Sequence, residues 1–447
     1  MEGKIYKFFP PIQYMISKEK WAEVVKDFHG KGIPQLVKRE LSIPKKIPLK
    51  RAISIIGPRR AGKTYTMFQL IGEIVKDGIS IDRTIYINLE RTDLEDCNSK
   101  DLMAMMETYY EMYPENKKRK TWLFLDEIQN VGMWENFVRT VIDSENVQVF
   151  ISGSSSKLLS KEIATALRGR TITYTILPFS FKDYLAAENM ESRKYLSTSE
   201  KASLINALKT YMEKGGYPEA ILYKKESEKI LTDIVETTMY RDVVERYGVR
   251  NTRLLKLLIQ SLISSSQREF SVHKFYNYTK SMGMKVSKTT LYNYMNALAD
   301  VFLIFLLRKY STSLREAGQS IPKVYVVDNG ILTSSGVNDF GKLLENLVFL
   351  ELTRRNKNAY YYKSVDNKEV DFVIVEKGKV SKILQVAYSL DDFATKERET
   401  KSLLKASREL KCNSLSILTW SKEGEETTNG KKITYIPLWK WLVFMNR

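Results

Sequence analysis

Gly57-Pro58-Arg59-Arg60-Ala61-Gly62-Lys63-Thr64 is the stretch on which the fold of this chain turns. It fits G-x-x-x-x-G-K-[ST] at every fixed position. It follows the apolar run 51–56 and opens the segment 64–75, where Phe68, Leu70, Ile71, Ile74 and Val75 recur at helical spacing. Glycines let a backbone curl around phosphates without a Cβ in the way, and N–H groups at the start of a helix face an anion. In such a loop Lys63 reaches the β- and γ-phosphates and the Thr64 hydroxyl ligates Mg²⁺. The candidate nucleotide contacts are therefore Gly57, Pro58, Arg59, Arg60, Ala61, Gly62, Lys63, Thr64 and Tyr65, and the cofactors implied are ATP and Mg²⁺.

Downstream, Trp122-Leu123-Phe124-Leu125-Asp126-Glu127 is an apolar strand ending in two acids. Asp126 at the strand end is the candidate metal-shell carboxylate, and Glu127 is placed to polarise a water for attack on a γ-phosphate. The apolar run 147–151 leads into Ser152-Gly153-Ser154, so Ser152 or Ser154 is a candidate for sensing the γ-phosphate. A turn that caps the next helix accounts for the same serines. Arg168 and Arg170 are candidate arginine fingers, acting within one subunit or on a neighbour; ordinary ion pairing is the other reading.

Working outward, apolar runs at 51–56, 84–89, 122–125, 147–151 and 171–177 alternate with helical patterns. Buried parallel strands in a three-layer α/β sandwich are the expectation. Residues 180–265 read as mostly helical, broken by the turn Gly215-Gly216-Tyr217-Pro218. The chain has 447 residues with 71 Lys+Arg against 53 Asp+Glu, for a net charge of +18. That charge is uneven: +6 over 1–50, −1 over 51–240, +7 over 241–340 and +6 over 341–447. An excess of this kind points to an anionic partner, and its placement sets a neutral nucleotide-handling block between basic flanks. Two cysteines and two histidines exclude a disulfide framework and a structural zinc site. No stretch reads as a signal peptide or a membrane span, so a cytoplasmic location is expected.

GPRRAGKT, WLFLDEIQN, ISGSSSKLLS, LRGRTITYTILPFSFKDYL and GGYPE together resemble the archaeal AAA-type P-loop ATPase family. The resemblance runs from about 30 to about 420. It implies a P-loop parallel sheet with a helical lid, followed by a winged helix and a small restriction-nuclease-like α/β domain. The division expected is 1–30 an N-terminal arm, 31–180 the ATPase core, 181–250 the lid, 251–335 the winged helix and 336–447 the nuclease-like block.

The basic middle fits a winged helix on its own residues. Ser287 is a good N-cap for a groove helix presenting Lys288, Thr289, Thr290, Tyr292 and Asn293, and Arg308 and Lys309 lie between the strands of the wing. These are the candidate DNA contacts; a protein-binding or lid domain is the alternative. In the last block Glu345, Asp371 and Gln385 stand where the resemblance places a nuclease metal site. Gln385 replaces an acid and Ala387 replaces the lysine that assists the water, so no nuclease activity is expected. The reading is an ATPase with a DNA-contacting C-terminal half, against a nucleotide switch that binds a protein partner. Oligomeric state stays open.

Overall fold

Where the sequence runs apolar and β-branched the chain forms strands, and five of them lie side by side. The computed structural model describes residues 16–154, 167, 169–191, 193 and 195–445. In chain order the first part is α1 (Lys18–Lys31), β1 (Ala52–Ile56), α2 (Lys63–Lys76), β2 (Thr84–Asn88), α3 (Ser99–Met112), β3 (Thr121–Asp126), α4 (Trp134–Ser144), β4 (Val147–Gly153) and β5 (Thr171–Thr175). The strand order is β2-β3-β4-β1-β5 and every pairing is parallel. The central strands β1, β3 and β4 are buried throughout, as strands covered on both faces must be. Because all five run the same way, the ends of β1, β3 and β4 meet at one edge of the sheet. The glycine-rich loop, Asp126-Glu127 and Ser152 are brought together there.

Helix α1 corrects one expectation. The stretch to residue 30 reads as an arm, yet Trp21, Val24 and Val25 are buried in one apolar cluster with Ile85, Ile87, Leu102 and Met105. Trp21, Val24, Val25 and Phe28 recur at helical spacing, and that stripe needs a partner surface.

The lid consists of α5 (Phe181–Ala187), α6 (Thr198–Lys214), α7 (Pro218–Leu222) and α8 (Ser227–Thr237), the last continuing as a π-helical segment, Thr238–Glu245. Then come α9 (Thr252–Ser264), α10 (Val272–Ser281) and α11 (Lys288–Asp300). They are followed by β6 (Ile304–Leu307), the short α12 (Leu314–Gln319) and β7 (Lys323–Val326), which pairs antiparallel with β6 as a ribbon. Helices α13 (Asn329–Ser334) and α14 (Phe340–Arg354) lead into the C-terminal sheet. Its elements are β8 (Asn358–Lys363), β9 (Glu369–Glu376), β10 (Lys379–Ala387), α15 (Phe393–Glu409), β11 (Leu415–Thr419), β12 (Gly424–Thr428), β13 (Lys431–Pro437) and α16 (Leu438–Phe444). This second sheet is mixed, in the order β12-β13-β11-β10-β9-β8. Strand β12 (Gly-Glu-Glu-Thr-Thr) lies at the sheet edge, where polar residues are tolerated, which hides it from a hydrophobicity reading.

The lid, the three-helix unit and the inner face of the second sheet share one apolar core. It includes Leu208, Leu258, Leu291, Phe349, Phe372 and Trp441. At its border with the first sheet, the backbone of Leu177-Pro178-Phe179 is gripped from four sides. Arg39 donates to the Leu177 carbonyl at 2.8 Å. Arg354 of α14 donates to Pro178 and Phe179 at 3.0 and 3.2 Å. The Tyr211 hydroxyl reaches the Phe179 carbonyl at 2.6 Å, and the Phe179 N–H donates to Gly216 at 2.7 Å. The Gly215-Gly216 pair is dictated by the same knot. Asp328 accepts from the N–H groups of Gly216 at 2.6 Å and Gly330 at 2.8 Å, and a Cβ on Gly215 would lie 1.8 Å from that carboxylate.

Candidate functional site

The P-loop is built by two backbone requirements. Gly57 passes so close to β5 that a Cβ there would lie 2.0 Å from the Ile176 carbonyl oxygen, and Gly62, at φ +93°, starts α2 in a left-handed conformation. Lys63 is buried. Its Nζ donates to the carbonyls of Gly57 at 3.3 Å and Pro58 at 3.2 Å, and lies 3.6 Å from Glu127 Oε1.

Asp126 is the hub. Its Oδ2 accepts from Thr64 Oγ1 at 2.6 Å and from the Tyr86 hydroxyl at 2.9 Å, and its Oδ1 accepts from Ser152 Oγ. Burial pushes its carboxyl above the ordinary range, the neighbouring Glu127 charge adds to this, and the three hydroxyl donors oppose it. Glu127 sits at φ +55°, a left-handed conformation that costs a residue with a side chain about 1–2 kcal/mol and is held by its surroundings. Its N–H donates to Ser152 Oγ at 2.9 Å and its Oε2 accepts from Gln129 Nε2. Burial works to raise the Glu127 carboxyl, but Lys63 and Gln129 outweigh it and hold the group below its ordinary value.

The donor set fits a nucleotide with Mg²⁺. A hydroxyl and a carboxylate are already in contact where the metal shell is needed. The lysine is held by two carbonyls and one carboxylate, contacts that phosphate oxygens can replace. Thr64 and Asp126 are the residues that would hold Mg²⁺, and the ion would supply charge neutralisation at the phosphates.

Of the two candidate serines, Ser152 touches Asp126 and Glu127, whereas the buried Ser154 hydroxyl has no hydrogen-bond partner among the described residues. Arg168 lies outside the described residues. Arg170 directly precedes β5, where its carbonyl accepts from Ala52 N at the start of β1, and its guanidinium pairs with Asp143. In a parallel sheet that is the edge opposite the P-loop, so Arg170 does not reach its own nucleotide site. Tyr65 is exposed and stacks edge-on with Phe68 at 6.2 Å.

Several partners escape a sequence reading. Arg59 makes a two-pronged bond to the buried Asp242 in the π-helical segment, Nε to Oδ2 at 2.9 Å and Nη2 to Oδ1 at 3.1 Å. Arg60 pairs with Glu219 of α7 at 3.2 Å. The buried Arg39 donates to the Ala61 carbonyl at 3.0 Å and pairs with Asp183 at 3.3 Å, so it touches the P-loop and the lid at once. The only sequence trace of these contacts is the charge type itself.

On α11, the Ser287 hydroxyl accepts from Thr290 N at 3.0 Å, as expected of an N-cap. Lys288, Thr289, Tyr292 and Asn293 are exposed and Thr290 is half-buried. The β6–β7 ribbon does not stand free. Tyr361 N donates to the Arg308 carbonyl at 3.1 Å and Tyr310 N to the Tyr361 carbonyl at 2.7 Å, which joins it to strand β8, while Lys309 is paired with Glu316 at 3.1 Å. Arg308 keeps an exposed side chain; Lys309 is committed. In the C-terminal sheet Gln385 accepts from Asp371 N at 3.1 Å and donates to Glu399, and Glu345 accepts from the Tyr325 hydroxyl at 2.7 Å. A lysine does stand beside Glu345 and Asp371, contrary to expectation: Lys323, from β7.

Residues 49–185 match the AAA domain family. Residues 205–340 and 340–441 match two domains of unknown function (DUF8612 and DUF4143). An uncharacterized protein of Methanocaldococcus jannaschii is 40% identical over 422 residues, covering 91% of each chain. This chain belongs to the same family. An uncharacterized protein of Haemophilus influenzae is 30% identical over 392 residues, 86% of this chain and 93% of its own. Among solved structures, the Aeropyrum pernix ORC2 protein in its ADP form covers 68% of this chain and 90% of its own at 13% identity, with a TM-score of 0.31. AMPPCP-bound DnaA from Aquifex aeolicus covers 66% and 99% at 16% identity, with a TM-score of 0.24. At such scores neither likeness carries an argument. An AAA-type P-loop fold with a second, mixed-sheet domain is what the chain has. Among the described residues no helix is long and apolar enough to cross a membrane.

Proposed function

We propose that this chain is a Mg²⁺-dependent ATPase whose nucleotide state is passed to a basic C-terminal half that holds DNA. The observation that carries the ATPase reading is the convergence of Lys63, Thr64, Asp126 and Glu127 at one sheet edge, with Thr64 Oγ1 2.6 Å from Asp126 Oδ2. Lys63 binds phosphate, Thr64 and Asp126 hold the metal, Ser152 aims both acids, and Glu127 takes the proton of the attacking water. Two ties from the P-loop to the lid, Arg59–Asp242 and Arg60–Glu219, support the coupling, since phosphates compete for the same cations. The DNA reading rests on the exposed face of α11, read as the groove helix of a winged helix, and on the +7 of residues 241–340. A cytoplasmic setting accords with Cys97 and Cys412, both buried and unpaired.

One observation favours the rival, a nucleotide switch that binds a protein: the ribbon is bonded to strand β8 and does not present a free wing. The test is ATP turnover with and without single-stranded, double-stranded and branched DNA, together with DNA affinity against salt. A DNA binder that neutralises several phosphates loses affinity steeply as salt rises. Absence of binding at low salt eliminates DNA and leaves the switch. Lys63→Ala that still binds ATP as the wild type does would remove the ATPase reading.

A further inference from the structure

Beside the π-helical segment Thr238–Glu245 lies a cavity of about 380 Å³, within the size range of sites that take one small-molecule-sized group. Its apolar wall comes from Tyr240 of that segment, from Leu257 of α9, and from Met282 and Met284 between α10 and α11. Its charge comes from Arg253 and Lys256 of α9, and no carboxylate lines it among the described residues. Tyr240 is 41% exposed and Met282 is 46% exposed. Large apolar groups exposed singly need no explanation, but these two share one cavity. The Lys256 ammonium lies 5.4 Å from the centre of the Tyr240 ring, so a cation and an aromatic ring are presented together.

The surrounding charge has one sign. Over 241–256, Arg241, Arg246, Arg250, Arg253 and Lys256 are all exposed, against a single solvated acid, Glu245. The other acid, Asp242, is buried and bonded to Arg59 of the P-loop. None of these five cations makes an ion pair among the described residues. Tyr240 and Asp242 stand two residues apart, a spacing that sends side chains to different sides of a helix. One side of this segment is therefore tied to the nucleotide site and another forms the cavity wall. π-helical turns are rare and occur mostly at functional sites.

Unpaired cations attract any polyanion; the ring in the cavity adds a preference. In a duplex the base faces are covered by their neighbours, so only phosphates are offered to such a surface. A single strand offers phosphates and uncovered base faces together, and those faces stack on aromatic side chains whatever the sequence. We infer that this cavity holds an unpaired base of single-stranded DNA, stacked on Tyr240, with the flanking phosphates on Arg253 and Lys256. This rests on the DNA reading above and adds to it the strandedness and a site that is not on α11.

The experiment measures binding of the full chain, with and without ATP, to a single strand carrying the fluorescent base 2-aminopurine, to an abasic strand of equal length and to the duplex. The wild type should favour the single strand and quench the 2-aminopurine, as stacking does. Tyr240→Leu should abolish the quenching and weaken single-strand binding about tenfold or more, with duplex and abasic affinities unchanged. Tyr240→Phe should behave as the wild type. Arg253→Gln and Lys256→Gln should each lower the slope of log affinity against log salt by about 0.7. Full quenching by Tyr240→Leu overturns the inference, as do salt slopes unchanged in both cation variants. A wild type that binds the abasic strand as tightly as the natural one also overturns it, and that comparison needs no variant. A wild type that prefers the duplex overturns it and leaves the DNA reading standing, whereas a wild type that binds no DNA at low salt removes both.

Discussion

Replacing Glu127 by Gln separates binding from chemistry at the nucleotide site. The change is isosteric and keeps the backbone N–H bond to Ser152, so the left-handed conformation at this residue is retained. What it removes is one charge, and two consequences follow with opposite signs. Glu127 Oε1 lies 3.6 Å from Lys63 Nζ. At an effective dielectric of about 20 that attraction is about 5 kcal/mol, and it must be exchanged for phosphate when nucleotide arrives. Its removal frees Lys63, so ATP affinity should hold or rise. Turnover should fall, because a positioned general base contributes about 10²–10⁴ in rate, or about 3–5 kcal/mol of barrier. The assay is single-turnover ATP hydrolysis beside equilibrium nucleotide binding by the same variant. In the wild type, Lys63 and Gln129 keep Glu127 ionised below its ordinary 4.5, so this group should cause no fall in rate as pH drops from alkaline values toward 4.5. A Glu127→Gln protein that hydrolyses ATP at the wild-type rate refutes the assignment. One that loses ATP binding refutes the account of how Lys63 is held.

Other outcomes follow from the same geometry. Arg39→Met should destabilise the protein by about 3–5 kcal/mol in urea titrations, since it leaves the buried Asp183 without its partner; a loss under about 1 kcal/mol would show the pair to be incidental. Gly57→Ala should weaken ATP binding by tenfold or more while the protein stays folded, because the new Cβ forces the P-loop away from Ile176; unchanged affinity would mean that β5 yields instead. Burial holds Asp328 up to about 6 from its ordinary 3.8, despite N–H bonds from Gly216 and Gly330. The folded state therefore binds the extra proton. Stability from this group is fully present below 3.8 and is lost as pH rises through about 6, by about 3 kcal/mol in all. Melting of the wild type against Asp328→Asn should show a difference that changes between pH 4 and 7.5, and a constant difference would contradict it.

The parts of this molecule that chemistry forces into consecutive residues were legible in the sequence. Gly57 to Thr64 must be contiguous to wrap a phosphate, Asp126 and Glu127 must end one strand, and buried parallel strands must read as apolar runs. Parallel topology also keeps Arg170 from its own nucleotide site, since a residue just before β5 lies at the far edge from a loop that follows β1. What stayed hidden depends on partners distant in the chain. Arg59 and Asp242 are 183 residues apart, and Arg39 and Asp183 are 144 apart. Lys323 gave no sign of its burial, because a lysine that opens a short strand looks like any solvated lysine until its three ion pairs are seen. Helix α1 looked like an arm because its apolar stripe is only one face of a short, charged helix.

The four-sided grip on Leu177-Pro178-Phe179 bears on how this protein can be taken apart. Its donors come from residue 39, from α6 and from α14, so no cut between β5 and α14 leaves that backbone satisfied. A fragment ending at residue 180 would carry carbonyls stripped of their guanidinium and hydroxyl partners. A fragment starting there would carry a buried Arg354 without the two carbonyls it donates to. Borders that look natural on paper are seams welded from both sides, and a shortened protein would be judging a molecule that the full chain never is.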